Sequence, residues 1–118
     1  MTRITRSADC GNSPKNRVFE DLAVALEGGT WETSGPSGDV AWSRADGSRV
    51  TGSEAIAAAS AGSPRDIRID HVVSHGRIGA VSGVTDGEAF AHMFEYTSAG
   101  MKQLARIDSF RKTETQNG

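Results

Sequence analysis

A chain of 118 residues, 36% hydrophobic and 24% charged, has the size and composition of one globular domain that buries roughly two thirds of its unfolded surface. Thirteen lysines and arginines stand against fifteen aspartates and glutamates, a formal charge of −2 with no dense basic run, which argues against nucleic acid as a partner. No stretch approaches the roughly 18 apolar residues of a membrane span, the opening MTRITRSADCGN has no apolar signal core, and the single Cys10 cannot close an internal disulfide; the expected setting is the reducing cytoplasm, with no membrane partner.

Residues 1–12 read as a polar, irregular arm. Ser13-Pro14 then predicts a helix start, with a hydroxyl cap and a proline where a missing N–H costs nothing. Val18, Phe19, Leu22, Ala23 and Leu26 recur at helical spacing over about four turns, and Lys15, Arg17, Glu20, Asp21 and Glu27 fall mostly between them as the expected wet face. Gly28-Gly29 predicts the stop. After a loop-forming stretch at 30–38, Val40 and Trp42 share a strand face, and Asp46-Gly47 turns the chain into a short hairpin through Arg49-Val50-Thr51. Glu54 to Ala59 is an alanine-rich helix ended by Gly62-Ser63-Pro64.

From Pro64 onward the pattern predicts a four-stranded meander. The first strand places Ile67, Ile69, His71 and Val73 on one face and Arg68, Asp70, Val72 and Ser74 on the other. A second runs from Ile78 to Thr85, a third from Glu88 to Thr97 after the Asp86-Gly87 turn, and a fourth from Lys102 to about Lys112, leaving 113–118 as a polar tail. Counting outward from Asp86-Gly87 pairs Gly83 with Phe90, Val81 with His92 and Gly79 with Phe94. Glycines beside aromatics suit a strongly curved sheet.

Two order-dependent features frame the chemistry. His71 and His75 share a strand face roughly 13 Å apart, too far for one ion, so no metal site is expected. His92 lies between Phe90 and Phe94 on the face taken as concave, with Tyr96 further along and Trp42 on a flanking strand, a polar group among aromatics such as a ligand site needs. Arg106 and Asp108 share a face of the last strand. A two-residue connection at Ala99-Gly100 sets His92 opposite Ile107 with the pair on the other face; a three-residue connection or a bulge sets His92 opposite Arg106 and Phe90 opposite Asp108, assembling an acid–base cluster.

The order of elements resembles the nuclear transport factor 2-like superfamily, including its SnoaL-like branch. The residues that carry the resemblance are DCGNSPKN at 9–16, Asp39-Val-Ala-Trp42, Val50-Thr-Gly52-Ser-Glu54-Ala-Ile56, Ile69-Asp-His-Val-Val-Ser-His-Gly76 and Met93-Phe-Glu-Tyr96, which resemble a bacterial subgroup of that superfamily. It implies an α+β domain over 13–112, a cone-shaped, curved antiparallel sheet wrapped around a long N-terminal helix, with a pocket at its open end and commonly a homodimer. It implies no single activity, since the fold hosts isomerases, dehydratases, epoxide hydrolases and binding modules.

Three functions are compatible with this reading, none requiring a cofactor. The first is a small-molecule-binding domain with a mainly apolar pocket lined by Trp42, Phe90, His92, Phe94 and Tyr96. The second is an isomerase, cyclase or epoxide hydrolase with His92 or Asp108 as base and Arg106 orienting; Arg106-x-Asp108 resembles a strand of limonene-type epoxide hydrolases, without their second aspartate. The third is a non-catalytic dimerisation module. A homodimer through the sheet is expected in each case, because the central strands carry apolar residues on both faces and one helix covers only one.

Overall fold

The computed structural model describes residues 2–7, 13–32, 39–60, 62–98, 100 and 103–112. Cys10, part of the 30–38 loop and the 113–118 tail lie outside them. In chain order the elements are β1 (Arg3–Thr5), α1 (Pro14–Gly28), β2 (Ala41–Ser43), β3 (Arg49–Thr51), α2 (Ser53–Ala59), β4 (Asp66–His75), β5 (Ile78–Thr85), β6 (Glu88–Tyr96) and β7 (Leu104–Lys112). The seven strands form one curved sheet in the order β1-β4-β5-β6-β7-β2-β3.

Local chemistry sets the ends of α1. The Ser13 hydroxyl accepts from the Asn16 N–H at 3.2 Å, Pro14 opens the first turn, and Gly29 closes the helix at φ 73°, a left-handed conformation that costs glycine nothing. Phe19, Ala23, Val24 and Leu26 are buried against the sheet, with Phe19 stacked on Phe94 at 6.1 Å and edge-on to Tyr96 at 5.9 Å. Asn16 ties the N-terminal turn to β4, donating to the Val72 carbonyl and accepting from the Ser74 hydroxyl.

The sheet is mixed rather than antiparallel throughout: β4, β5, β6 and β7 form the antiparallel meander, while β1 runs parallel to β4 and β2 parallel to β7. The arm read as irregular therefore contributes an edge strand. It is pinned by Arg6, whose guanidinium bonds the fully buried Glu20 carboxylate at 2.8 Å, and by the Ser7 N–H, which donates to the same carboxylate at 2.9 Å.

Two registers depart from simple alternation. In β4 a bulge between Ile69 and His71 inserts one residue, so burial passes from Ile67 and Ile69 to Val72, and His71, Val73 and His75 turn to the exposed face. This corrects the face assigned to His71, Val73 and Val72. At the other end, the β6–β7 connection spans 97–103, closed by the Thr97 N–H to the Gln103 carbonyl at 2.8 Å, and a bulge follows between Glu95 and Tyr96. The resulting register pairs Phe94 with Ile107 and His92 with Ser109, which neither expected connection gave.

Candidate functional site

Alternation along β6 points Phe90, His92, Phe94 and Tyr96 inward, all buried. On β7 the same rule buries Ile107 and Ser109 on that face, and Trp42 of β2 arrives beside Ile107 through the parallel pairing. The last turn of α1 then lays Glu27 over the group. Glu20 and Glu27 are seven residues apart, two helical turns, and thus share a side of the helix with Ala23 and Val24. Both were assigned to the wet face, and both carboxylates are buried. Their spacing relative to Ala23 was the signal that could have revealed them.

These side chains form one continuous hydrogen-bonded chain. Trp42 Nε1 donates to Ser109 Oγ at 2.7 Å; Ser109 Oγ stands 2.6 Å from His92 Nδ1; His92 Nε2 stands 2.6 Å from Glu27 Oε2. The indole can only donate, so the serine oxygen accepts from Trp42. The Glu27 carboxylate can only accept, so the ring proton sits on Nε2 and is donated to Glu27, which leaves Nδ1 to accept the Ser109 hydrogen, a tautomer assigned from the network. Glu27 accepts further bonds from Thr85 Oγ1 at 2.8 Å and from both terminal nitrogens of Arg111 at 2.6 and 3.0 Å. Its four acceptor positions are thereby filled. Arg111 also reaches Glu88 through Nε at 2.9 Å.

The Glu27 side chain is 4% exposed and that of His92 2%. Burial alone would push the Glu27 carboxyl up, but the hydrogen bond from His92, the Arg111 guanidinium and the Thr85 hydroxyl together outweigh it and hold the group below the ordinary glutamate range. Burial pushes the Tyr96 phenol up.

A cavity of about 310 Å³ opens over this chain. It is lined by Leu26, Glu27, Trp42, His92, Ser109 and Arg111, by the β2–β3 turn (Arg44, Ala45, Asp46) and by the end of α2 (Ala59, Ser60) with Gly62. The Arg44 guanidinium lies 5.2 Å from the Trp42 ring centre and meets Asp46 at 3.9 Å.

The expected site residues are thus divided. Trp42 and His92 line the cavity; Phe90, Phe94 and Tyr96 do not. Phe94 and Tyr96 belong to the core around Phe19, and Phe90 packs 5.0 Å from His92 with Arg111 beyond it. The lining is consequently mixed rather than mainly apolar, with Leu26, Trp42, Ala45 and Ala59 beside polar and charged side chains. Arg106 and Asp108 take the outward alternative: alternation from buried Ile107 and Ser109 turns both to the opposite face, where Arg106 pairs with Asp108 at 3.3 Å and Glu95 at 3.6 Å. No acid–base cluster of His92, Arg106 and Asp108 exists. Ser109 and Glu27 bond His92 instead, and Thr85 and Arg111 bond Glu27 behind it. Among the described residues, no group of three or more His, Cys, Asp or Glu side chains could hold a metal ion.

No family model and no curated protein matches the chain. Among solved structures it is similar to the crystal structure of a "putative ketosteroid isomerase from Kribbella flavida DSM 17836", with a TM-score of 0.61, 14% identity, and coverage of 87% of this chain and 81% of that one. The likeness is one of fold. That neighbour is a member of the nuclear transport factor 2-like superfamily, and the α+β arrangement of a curved mixed sheet with few helices is consistent with that architecture. No helix among the described residues is long and apolar enough to cross a membrane.

Proposed function

We propose that the chain is a small-molecule-binding domain of the nuclear transport factor 2-like type, its curved sheet acting as the cone and the cavity above His92 as the ligand site. One observation carries this reading: a buried Trp42–Ser109–His92–Glu27 chain ends in an open cavity. Buried polar groups cost free energy relative to an apolar core of the same shape, and a fold that needed only packing would have filled these positions with aliphatic side chains. A compact ligand with a planar apolar body for Trp42 and a polar group for Ser109 or Arg44 fits the lining.

Proton abstraction next to a carbonyl is less well supported by the same geometry. Both ring nitrogens of His92 are engaged, and Glu27, saturated and held below its ordinary range, is a weak base. Titration of the protein with small aromatic acids, phenols and esters, followed by backbone NMR, tests the binding reading. Shifts concentrated at Trp42, Arg44, Ser60 and Ser109 are expected. Shifts absent for every compound, or confined to the outer sheet face, would overturn it.

The outer face of the sheet supports a second part of the proposal, that two copies pair through it. Cross-strand register lines up Val73, Ala80 and Met93 in one row and Ser82, Ala91 and Phe110 in the next. Val73, Met93 and Phe110 are exposed in the single chain, and a two-fold axis would let these rows cover each other.

A further inference from the structure

Ser109 holds a position that ligand binding alone does not require. Its hydroxyl hydrogen is directed at His92 Nδ1, one lone pair accepts from Trp42, and the second lone pair has no partner among the described residues, in a residue that lines the cavity. His92 is fixed behind it by Glu27 at 2.6 Å, and Glu27 is fixed by Thr85 and Arg111. A hydroxyl bonded to an imidazole whose far nitrogen is held by a carboxylate is the arrangement that converts serine into a nucleophile. Here the ring nitrogens exchange roles relative to the commonest form, with Nδ1 facing the hydroxyl and Nε2 the acid, and the proton path is the same.

We infer that Ser109 is an acyl-accepting nucleophile and that the protein cleaves a small carboxylic ester bound in the 310 Å³ cavity. The inference rests on the reading of that cavity as a ligand site. Ser109 Oγ adds to the acyl carbon while its proton passes to His92 Nδ1. Arg44, which also lines the cavity, supplies a cation to stabilise the resulting oxyanion. Collapse breaks the acyl–oxygen bond, and the departing alkoxide or phenolate takes the proton from Nδ1. Water then repeats the sequence on the acyl-serine, releasing the carboxylic acid and restoring the hydroxyl. Throughout, Glu27 keeps Nε2–H oriented and stabilises the transient imidazolium; it is a positioning residue and takes no proton.

The experiment uses p-nitrophenyl acetate as ester and p-nitroacetanilide as its near-isosteric, far less reactive amide, on the full chain. The expected result is a burst of nitrophenolate and one acetyl group that peptide mapping places on Ser109 of the unmodified sequence. Ser109→Ala should abolish the adduct, and His92→Asn should slow acylation at least about a hundredfold. Because either variant could fold poorly, the mapping on wild-type protein stands by itself. Anilide-induced shifts at the cavity without acetyl-Ser109 would overturn the inference and leave the binding reading intact. Acetylation only at surface lysines would overturn it too, and absence of both adduct and anilide shifts would overturn inference and binding reading together.

Discussion

Glu27 shows how a charge can be buried in so small a domain. Removing a carboxylate from water is costly, and the cost is met here by four hydrogen bonds, two of them from one guanidinium. Its carboxyl lies below the ordinary value of 4.5 in the folded chain, so as pH falls the unfolded state takes up this proton first. The stabilisation is complete above 4.5 and is lost as pH falls through the lower folded value. Glu27→Gln keeps the shape and removes the charge. It should lower stability at neutral pH by about 1.5–3 kcal/mol, the usual loss for hydrogen bonds to charged groups. Asp46 and Asp70 are also held low, by Ser48 and Arg68 respectively, so the test is the difference between wild-type and variant urea midpoints from pH 7 to pH 3. The gap should close toward acid; a constant gap would show that Glu27 is not held by charge.

The elements are shaped by what their glycines allow. A Cβ at Gly79 would collide with the Phe19 ring, which is fully buried and stacked on Phe94, and one at Gly83 would collide with the Arg68 carbonyl beside the β4 bulge. Ring displacement costs about 1–3 kcal/mol in a packed core, whereas the carbonyl belongs to the backbone and cannot turn aside. Gly83→Ala should therefore destabilise more than Gly79→Ala, and both should cost more than Thr51→Ala at the exposed edge; thermal unfolding of the three variants checks the order, and equal losses would contradict it. Features set by neighbours in sequence were legible from it: the Ser13-Pro14 start, the Gly29 stop, and the β5–β6 register counted outward from Asp86-Gly87, which sets Val81 against His92. The β4 bulge was not, because alternation carries no mark of one inserted residue at Asp70. Nor were β1 and the β7 register, which depend on pairing across more than sixty residues and on a connection longer than a tight turn. His92 could accordingly be placed on the inner face, while Ser109, Arg111 and Glu27 could not be gathered around it.

At the scale of the molecule, one fifteen-residue helix covers the inner face of a seven-stranded sheet, and the outer face has no such cover among the described residues. There Val73 is 61% exposed, Met93 44% and Phe110 57%, on three different strands and in adjacent cross-strand rows. A sheet face meant for water would carry polar residues at these positions, as it does nearby, where Arg77, Glu95, Arg106 and Asp108 pair among themselves. Pairing of two copies by a two-fold axis would cover both rows at once and should bury more than about 1,000 Å². Met93 has Ala80 on one side and Asp108 on the other, placing it between the apolar rows and the charged ladder. Met93→Glu should put a carboxylate into the contact without disturbing the inner core, which Met93 does not enter. Sedimentation at micromolar concentration should then show wild type at twice 12.4 kDa and the variant at 12.4 kDa with an unchanged far-ultraviolet spectrum. A folded wild-type monomer under those conditions would end the proposal, as would a variant that remains a dimer.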